Sequence, residues 1–466
     1  MKFTLKCVAP ILSILILLAP SFDRSALSQT VAPSPTADAT PAPNAANLIQ
    51  EAITLIAAKD LIGAQAKLDQ AQALTPDQKL YWATTGNLLL KRNQNADALA
   101  AFQKELALFP SETAMYGNIV DTQFALHQRK DVEACLHDWA VADITNPLPA
   151  RKLMDLLVED GNAAAAVTVG KDALVRLPEK ARTDDFLQIE LGRAEILSGD
   201  KTSGVARIHS AMERNPDIAD TAAYVLADSG ADLVNVEKIA RNQINALSTV
   251  GSTWVLGGNA AAMRSIRDWT SDLYSMWDTL GWTLFREGKL EDARSYLSAA
   301  WQGLLSPDVG EHLAEVQQAL GNKDDALRTY QLALAVVPHD DNLGYRKALA
   351  IKPADVQSRI QALTKAGATA TIVDPSVELL RLRTIPLNPS PQPDRRMSYI
   401  ILIRDGKLVD VQPFTARTMQ GVQEMFAKID FTRYFPAGSQ GTLVRTGQLG
   451  CTGGICSIVL GLAVQP

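Results

Sequence analysis

Residues 277–301 read WDTLGWTLFREGKLEDARSYLSAAW, and this segment decides the fold. Small residues, Gly281 and Ala293, alternate at helical spacing with large ones such as Leu297. Ala326 repeats Ala293 after 33 residues, so the pattern returns one unit further along the chain. Helices that approach closely need small side chains at the contact and large ones beside it. The segment therefore predicts helix pairs, each of which buries its apolar face only by stacking on its neighbours.

The same arrangement continues towards the N-terminus. Pro76 and Pro110 stand 34 residues apart, and each closes an apolar helical stretch. Trp, Leu-Gly, Ala and Pro at these spacings resemble the tetratricopeptide (TPR) repeat. The resemblance implies a mostly α fold, a TPR-like α-solenoid in which helix pairs form a superhelix with a concave groove. We expect about eight pairs over residues 46–370, interrupted by an irregular insertion at 249–275.

The N-terminus predicts export. Lys2 and Lys6 precede an apolar run that ends at Pro20. This run is shorter than the roughly 20 residues of a membrane-spanning helix, and residues 1–28 are interpreted as a signal peptide. An uncleaved short anchor, which would keep the protein near a membrane, is the alternative. Residues 29–45, rich in Pro and Ala, follow as a linker. The predicted location is exported, periplasmic or otherwise extracytoplasmic.

Residues 376–466 change pattern and predict a small α+β domain. Asp405-Gly406 joins two strand-like runs, a Gly-Gly pair joins two more, and a short amphipathic helix lies between the two hairpins. A further edge strand is predicted within 377–388. The order resembles the C-terminal domain of TonB-family proteins. It also resembles the domain that ends some exported bacterial TPR proteins, in which an Arg-Gly-like pair precedes two cysteines.

Two cysteines near the chain end form a candidate disulfide. Arg445, Cys451 and Cys456 match the residues that carry the second resemblance. With Gly453-Gly454 as a two-residue turn, the cysteines face each other in a non-hydrogen-bonded pair, with Cα atoms about 4.5 Å apart. That separation suits a disulfide, and an exported protein meets an oxidising compartment. Two free thiols are the alternative.

Composition and motifs exclude several functional classes. The net charge of −6 gives no support to nucleic-acid binding. The sequence holds no phosphate-binding loop, zinc-protease motif, nucleophile elbow or EF-hand loop, so we predict no catalytic residue, no metal and no cofactor. Glu311-His312 falls beside a repeat junction and is not interpreted as a ligand pair. An enzyme with a site in the 249–275 insertion is kept as an alternative of another class.

The groove is the candidate partner-binding site. In TPR modules that clamp peptide carboxylates, Asn residues of successive first helices hold the ligand, aided by Lys or Arg. The resemblance places Asn87 and Asn118 at two matching positions and Lys152 at a third, although Ala83 stands where such clamps carry Lys. Ordinary exposed helix residues are the alternative reading of these side chains.

These features together predict a non-enzymatic protein-interaction scaffold. Its partners would be proteins or peptides of the cell envelope, bound in the TPR groove. The alternative is an envelope transport or assembly component whose C-terminal domain engages an outer-membrane partner by strand addition. The identity of the partner and the oligomeric state are left open.

Overall fold

The computed structural model describes residues 44–256, 260–337, 353–370, 372–387, 395–414, 421–452 and 455–462. The predicted signal peptide, 1–28, and nearly all of the predicted linker lie outside these ranges. Within them, the helices are all too short or too polar to cross a bilayer. The chain divides into two compact units between Pro149 and Ala150.

The first unit consists of three antiparallel helix pairs. Gly86 shows why small residues recur at the contacts, because a Cβ there would lie 2.6 Å from the ring of Phe102. The pairs are α1 (Ala45–Ala57) with α2 (Leu61–Leu74), α3 (Tyr81–Lys91) with α4 (Asn95–Leu108), and α5 (Ala114–Ala125) with α6 (Arg129–Ala142).

The second unit begins inside helix α7 and consists of further helix pairs followed by a sheet. Gly281 packs as the sequence predicts, since a Cβ there would lie 2.7 Å from Leu297. Its helices are α7 (Leu148–Glu159), α8 (Ala163–Arg176), α9 (Glu179–Arg182), α10 (Asp185–Leu197), α11 (Lys201–Arg214), α12 (Ala219–Asp228), α13 (Leu233–Gly251), α14 (Ala260–Arg286), α15 (Leu290–Leu304), α16 (Pro307–Ala319), α17 (Lys323–Ala335), α18 (Pro353–Lys365), α19 (Pro375–Arg383) and α20 (Val422–Phe426).

One turn geometry joins the two helices of each pair. In the turn after α14, Gly288 has φ 82°, its N–H donates to Phe285 O at 2.9 Å, and the Lys289 N–H donates to Leu284 O at 2.9 Å. This is the Schellman motif, whose left-handed residue favours glycine. The same two bonds occur in nine turns of the described chain, at Lys59, Asn93, His127, Gly161, Gly199, Gly230, Gly288, Gly321 and, after α18, Gly367. The first four of these residues are spaced by 34, which fixes the register of the repeat.

The predicted irregular insertion at 249–275 is largely helical, and that prediction was wrong. Helix α13 continues to Gly251, and α14 starts at Ala260 and runs unbroken to Arg286. Within the described residues only 252–256 are irregular. The extra turns of α14 form part of the support for the sheet, where the Thr270 hydroxyl accepts a hydrogen bond from the Val444 N–H at 3.0 Å.

The C-terminal sheet has five antiparallel strands. They are β1 (Thr384–Leu387), β2 (Arg395–Arg404), β3 (Lys407–Pro413), β4 (Thr442–Thr452) and β5 (Ile455–Leu460), in the order β1-β5-β4-β2-β3. The predicted Asp405-Gly406 hairpin is confirmed, with φ 50° and 75° at the two turn residues. The predicted edge strand is β1, although the preceding residues form α19 instead, with Asp374 as its N-cap.

The sheet shares its hydrophobic core with the helices. Tyr274 and Trp277 of α14 belong to the same buried cluster as Ile401, Leu449 and Ile458 of the sheet. The boundary that the sequence places near residue 376 therefore marks a change of secondary structure and not the limit of a core. The reason is that one face of a five-stranded sheet is too large for the five-residue helix α20 to cover alone.

The segment after α13 covers part of the opposite face of the sheet. Trp254 and Leu256 pack against Leu402 and Val444. The Arg404 guanidinium donates to the Trp254 carbonyl at 3.2 Å. These contacts give the irregular residues of the predicted insertion a structural role.

Strands β4 and β5 bring the two C-terminal cysteines together. Their register pairs Cys451 with Cys456 and Thr452 with Ile455, as the sequence predicts. The Cα atoms of the cysteines are 4.1 Å apart, and the sulfur atoms stand at disulfide distance, 2.11 Å. Both side chains are buried.

We predict that Cys451 and Cys456 form a disulfide in the isolated protein. No Lys or Arg occurs between Thr446 and Pro466, so trypsin releases both cysteines in one peptide, which begins at Thr446. Alkylation of the denatured protein should leave this peptide unlabelled, and prior reduction should add two alkyl groups. Because the loop is short, reduction should lower stability by only about 2 kcal/mol. Labelling of either cysteine without reduction would refute the bridge.

Candidate functional site

A groove of about 740 Å³ opens on the first unit, lined by the first helix of each pair. Its apolar wall comprises Ile53, Ile56, Leu61 and Leu90 from α1, α2 and α3. Its polar side includes the sequence-predicted residues Asn87 on α3 and Asn118 on α5. The structure thus places both asparagines on one concave surface.

The N-terminus of helix α3 is held by the buried carboxylate of Glu105. Leu80 precedes the helix in the left-handed conformation and supplies no side-chain cap. Glu105 of α4 replaces it, accepting hydrogen bonds from the backbone N–H groups of Leu80 at 2.6 Å, Trp82 at 3.0 Å and Ala83 at 3.3 Å. Glu105 is fully buried, so these bonds fix the orientation of the helix that carries Asn87.

The two asparagine amides are available to a ligand. Asn87 is exposed and makes no side-chain hydrogen bond within the described residues. Asn118 is half-buried, and within the described residues its amide nitrogen donates a hydrogen bond to the sulfur of Met115, at 3.9 Å. An asparagine amide offers two donors and an acceptor, which matches the N–H and C=O groups of a peptide backbone.

The turn register corrects the alignment of these residues. Asn87 stands six residues before the left-handed residue of its turn, whereas Asn118 stands nine before the corresponding residue of the next turn. The counterpart of Asn118 on α3 is Thr84, and the counterpart of Asn87 on α5 is Asp121. The two asparagines are therefore about one helical turn out of register and do not form a row of equivalent residues.

Lys152 does not line this groove. It lies on α7 in the second unit, at the position equivalent to Asn118. The groove instead holds two lysines that the sequence reasoning missed, Lys59 in the turn after α1 and Lys91 on α3. Asp121 on α5 is the acidic residue of the lining. The signal for these residues is their distance from the left-handed turn positions, which becomes visible only once those turns are recognised.

In the second unit, the equivalent face carries a network of charges. Arg193 of α10 lies 2.9 Å from Asp155 and 3.7 Å from both Glu190 and Asp228. Burial acts to lower the pKa of Arg193, but the Glu190, Asp155 and Asp228 carboxylates outweigh it and raise that pKa. These side chains are already engaged with one another, unlike the amides of the first unit.

A buried ion pair joins α14 and α16 on the same face. His312 Nδ1 lies 3.0 Å from an Asp278 carboxylate oxygen, and the imidazole stacks on Trp282 with ring centroids 4.1 Å apart. Burial acts to lower the pKa of His312, but the Asp278, Asp308 and Asp228 carboxylates together outweigh it and raise that pKa to about 9. Burial also raises the pKa of Asp278. Among the described residues, no group of three or more His, Cys, Asp or Glu side chains is placed to hold a metal ion.

The fold and the groove define a class: a TPR-like stack of helix pairs followed by a small antiparallel sheet. Stacked pairs of this kind present concave surfaces to other proteins. No protein-family model matches the chain.

The chain is similar to a TPR repeat-containing protein of Pseudomonas aeruginosa, with 28% identity over 209 residues. That match spans 40% of this chain and 34% of the relative. Among solved structures, a TPR protein from Parabacteroides merdae is matched over 69% of this chain and 98% of its own length, at 10% identity and a TM-score of 0.43. YrrB, described as a TPR protein with an unusual peptide-binding site, is matched over 38% of this chain and 91% of its own, at 18% identity and a TM-score of 0.30.

Proposed function

We propose that this protein is a non-catalytic scaffold that binds extended peptide segments of partner proteins in the groove of its first unit. The observation that carries the proposal is the position of Asn87 and Asn118, whose amides open onto one groove beside an apolar wall. Such a surface holds a peptide by its backbone through the amides and by its apolar side chains through the wall.

The sequence extends this proposal to the cell envelope. In this proposal, the leader predicted at 1–28 directs export of the chain. The linker predicted at 29–45 separates the folded part from the N-terminus. Envelope proteins or peptides are then the partners that we expect. The predicted oxidation of Cys451 and Cys456 agrees with that compartment.

The alternative, partner capture by strand addition to a TonB-like sheet, is less favoured by the strand edges. Edge strand β3 ends in Pro413, which lacks an N–H, and the Asp410 carboxylate accepts the Val411 N–H at 2.8 Å. Edge strand β1 has four residues and contains Pro386. Short edges with proline and charge are the usual protection against pairing with another chain.

Replacing Asn87 and Asn118 with alanine should weaken partner capture. Losing two backbone contacts of about 1 kcal/mol each reduces affinity by about tenfold or more. The measurement is crosslinking in intact envelopes, followed by quantitative mass spectrometry of the partners recovered with the full chain. The matched control replaces Asn242 and Asn245, which are exposed on α13 and do not line the groove. Equal recovery from the groove variant and the control would end the proposal.

A further inference from the structure

The left-handed turn residues differ between the two units. In the described part of the second unit all six Schellman turns have glycine at this position, at Gly161, Gly199, Gly230, Gly288, Gly321 and Gly367. In the first unit the corresponding residues are Lys59, Asn93 and His127, with φ 63°, 58° and 57°. Glycine reaches this conformation without steric cost, whereas every residue with a Cβ crowds the following carbonyl.

Lys59 is the least expected of the three residues. Asparagine and histidine are enriched several-fold at positive φ, whereas lysine has no short polar group to bond its own backbone. Folding alone would therefore favour glycine at position 59. Residues held in costly backbone conformations cluster at functional sites, so the surface that Lys59 faces is a candidate for its role.

Lys59 faces the groove described above. It is exposed, it is part of the groove lining, and it makes no ion pair within the described residues. Lys91, also in the lining, is likewise exposed and makes no ion pair there. The lining therefore carries two cations against the one carboxylate of Asp121, in a chain whose net charge is −6. His127 and Asn93 are absent from the lining, so Lys59 alone among the three combines backbone strain with a place in the groove.

We propose that Lys59 is a specificity-determining residue of the groove, and that the segment it selects is acidic. Held at the turn, its ammonium contacts a carboxylate side chain of an extended peptide whose backbone lies along Asn87 and Asn118. Lys91 adds to the positive potential of the same surface. This inference rests on the proposed function, because it assigns the chemistry of the peptide that the groove binds.

The test uses Lys59→Gly in the full chain, with two fluorescein-labelled twelve-residue peptides. One peptide contains four glutamates, and the other replaces them with glutamines. The variant should raise the melting temperature by about 2–4 °C, since glycine relieves the turn. It should weaken binding of the glutamate peptide about fivefold in low salt and leave binding of the glutamine peptide unchanged. The fivefold difference should shrink as salt screens the exposed charges.

His127→Gly is the matched control, because it relieves the same turn geometry outside the groove lining. It should raise the melting temperature and bind both peptides as the parent protein does. If the parent protein binds both peptides equally and Lys59→Gly changes neither affinity, the acidic preference is overturned while the peptide-binding groove stands. If the parent protein binds neither peptide, the proposed function and this inference fail together. A fall in melting temperature in Lys59→Gly would overturn the argument from strain.

Discussion

Asp278→Asn should destabilise the protein by about 3 kcal/mol at pH 6.5 and by much less at pH 9.5. The change breaks the buried pair with His312, in which Asp278 is 5% and His312 7% exposed. Removing one member of a buried ion pair is costly because it leaves the other member uncompensated in a region of low dielectric constant. Asp308 and Asp228 also face the imidazole and favour its charged form.

The sign of the pH dependence follows from the raised pKa of His312. That pKa is about 9 in the folded protein, against an ordinary value of 6.5. Its stabilising contribution is therefore complete below about pH 6.5 and is lost as the pH rises through about 9. The gap between the parent protein and Asp278→Asn should narrow by about 2 kcal/mol over this interval.

The gap can be measured by urea unfolding at the two pH values, with hydrogen exchange at the amides of α14 and α16 to locate the change. Glu291→Gln provides the control, since it breaks an exposed pair with Arg294, 2.8 Å apart. This control should cost less than about 1 kcal/mol at both pH values. A constant gap for Asp278→Asn would show that His312 does not carry the charge assigned to it.

The helix pairs and the hairpins could be predicted from the sequence because their signals are local. Gly281 and Leu297 contact each other across one turn, and Asp405-Gly406 specifies its own hairpin. The cysteine register follows from a two-residue turn in the same way. In each case the interacting residues are close enough in sequence for spacing alone to place them.

The groove lysines and the buried Asp278–His312 pair could be predicted only with the exact register of the repeat, which the sequence shows only weakly. Asp278 and His312 lie on neighbouring first helices, and neither residue type marks a core position by itself. Lys59 occupies a position where the pattern leads one to expect glycine, so it does not mark the turn. The sequence analysis missed the helical part of the predicted insertion because Trp254 and the glycines after it are typical of irregular structure. Helix α14 begins at Ala260, directly after these residues.

Arg445→Met should destabilise the second unit by about 3 kcal/mol. Arg445 is 1% exposed, although charged residues are almost never fully buried without a partner. On β4, Arg445 is an even number of residues from the buried Leu443 and Leu449, so it lies on the same, core-facing side of the sheet. Its guanidinium donates to the Tyr274 hydroxyl at 2.7 Å and to the Gly461 carbonyl at 2.7 and 3.1 Å. No carboxylate lies within ion-pair distance of it in the described part of the chain.

The expected loss arises from orphaned acceptors rather than from a broken ion pair. Methionine preserves the apolar stem but leaves the buried Tyr274 hydroxyl and the Gly461 carbonyl without a donor, at about 1–3 kcal/mol each. Tyr274→Phe removes the hydroxyl, so the double variant Arg445→Met/Tyr274→Phe should be more stable than the sum of the single effects by about 1–2 kcal/mol.

Hydrogen exchange at the amides of β4 and α14 measures this coupling in the region where sheet and helices share one core. Arg381→Met is the control, since the Arg381 side chain is 70% exposed on α19 and its removal should cost less than about 0.5 kcal/mol. Strictly additive effects of Arg445→Met and Tyr274→Phe would mean that the bond between them does not hold the sheet to α14. A clear coupling would mean that a single buried arginine joins the strands to the repeat helices through hydrogen bonds to neutral oxygens.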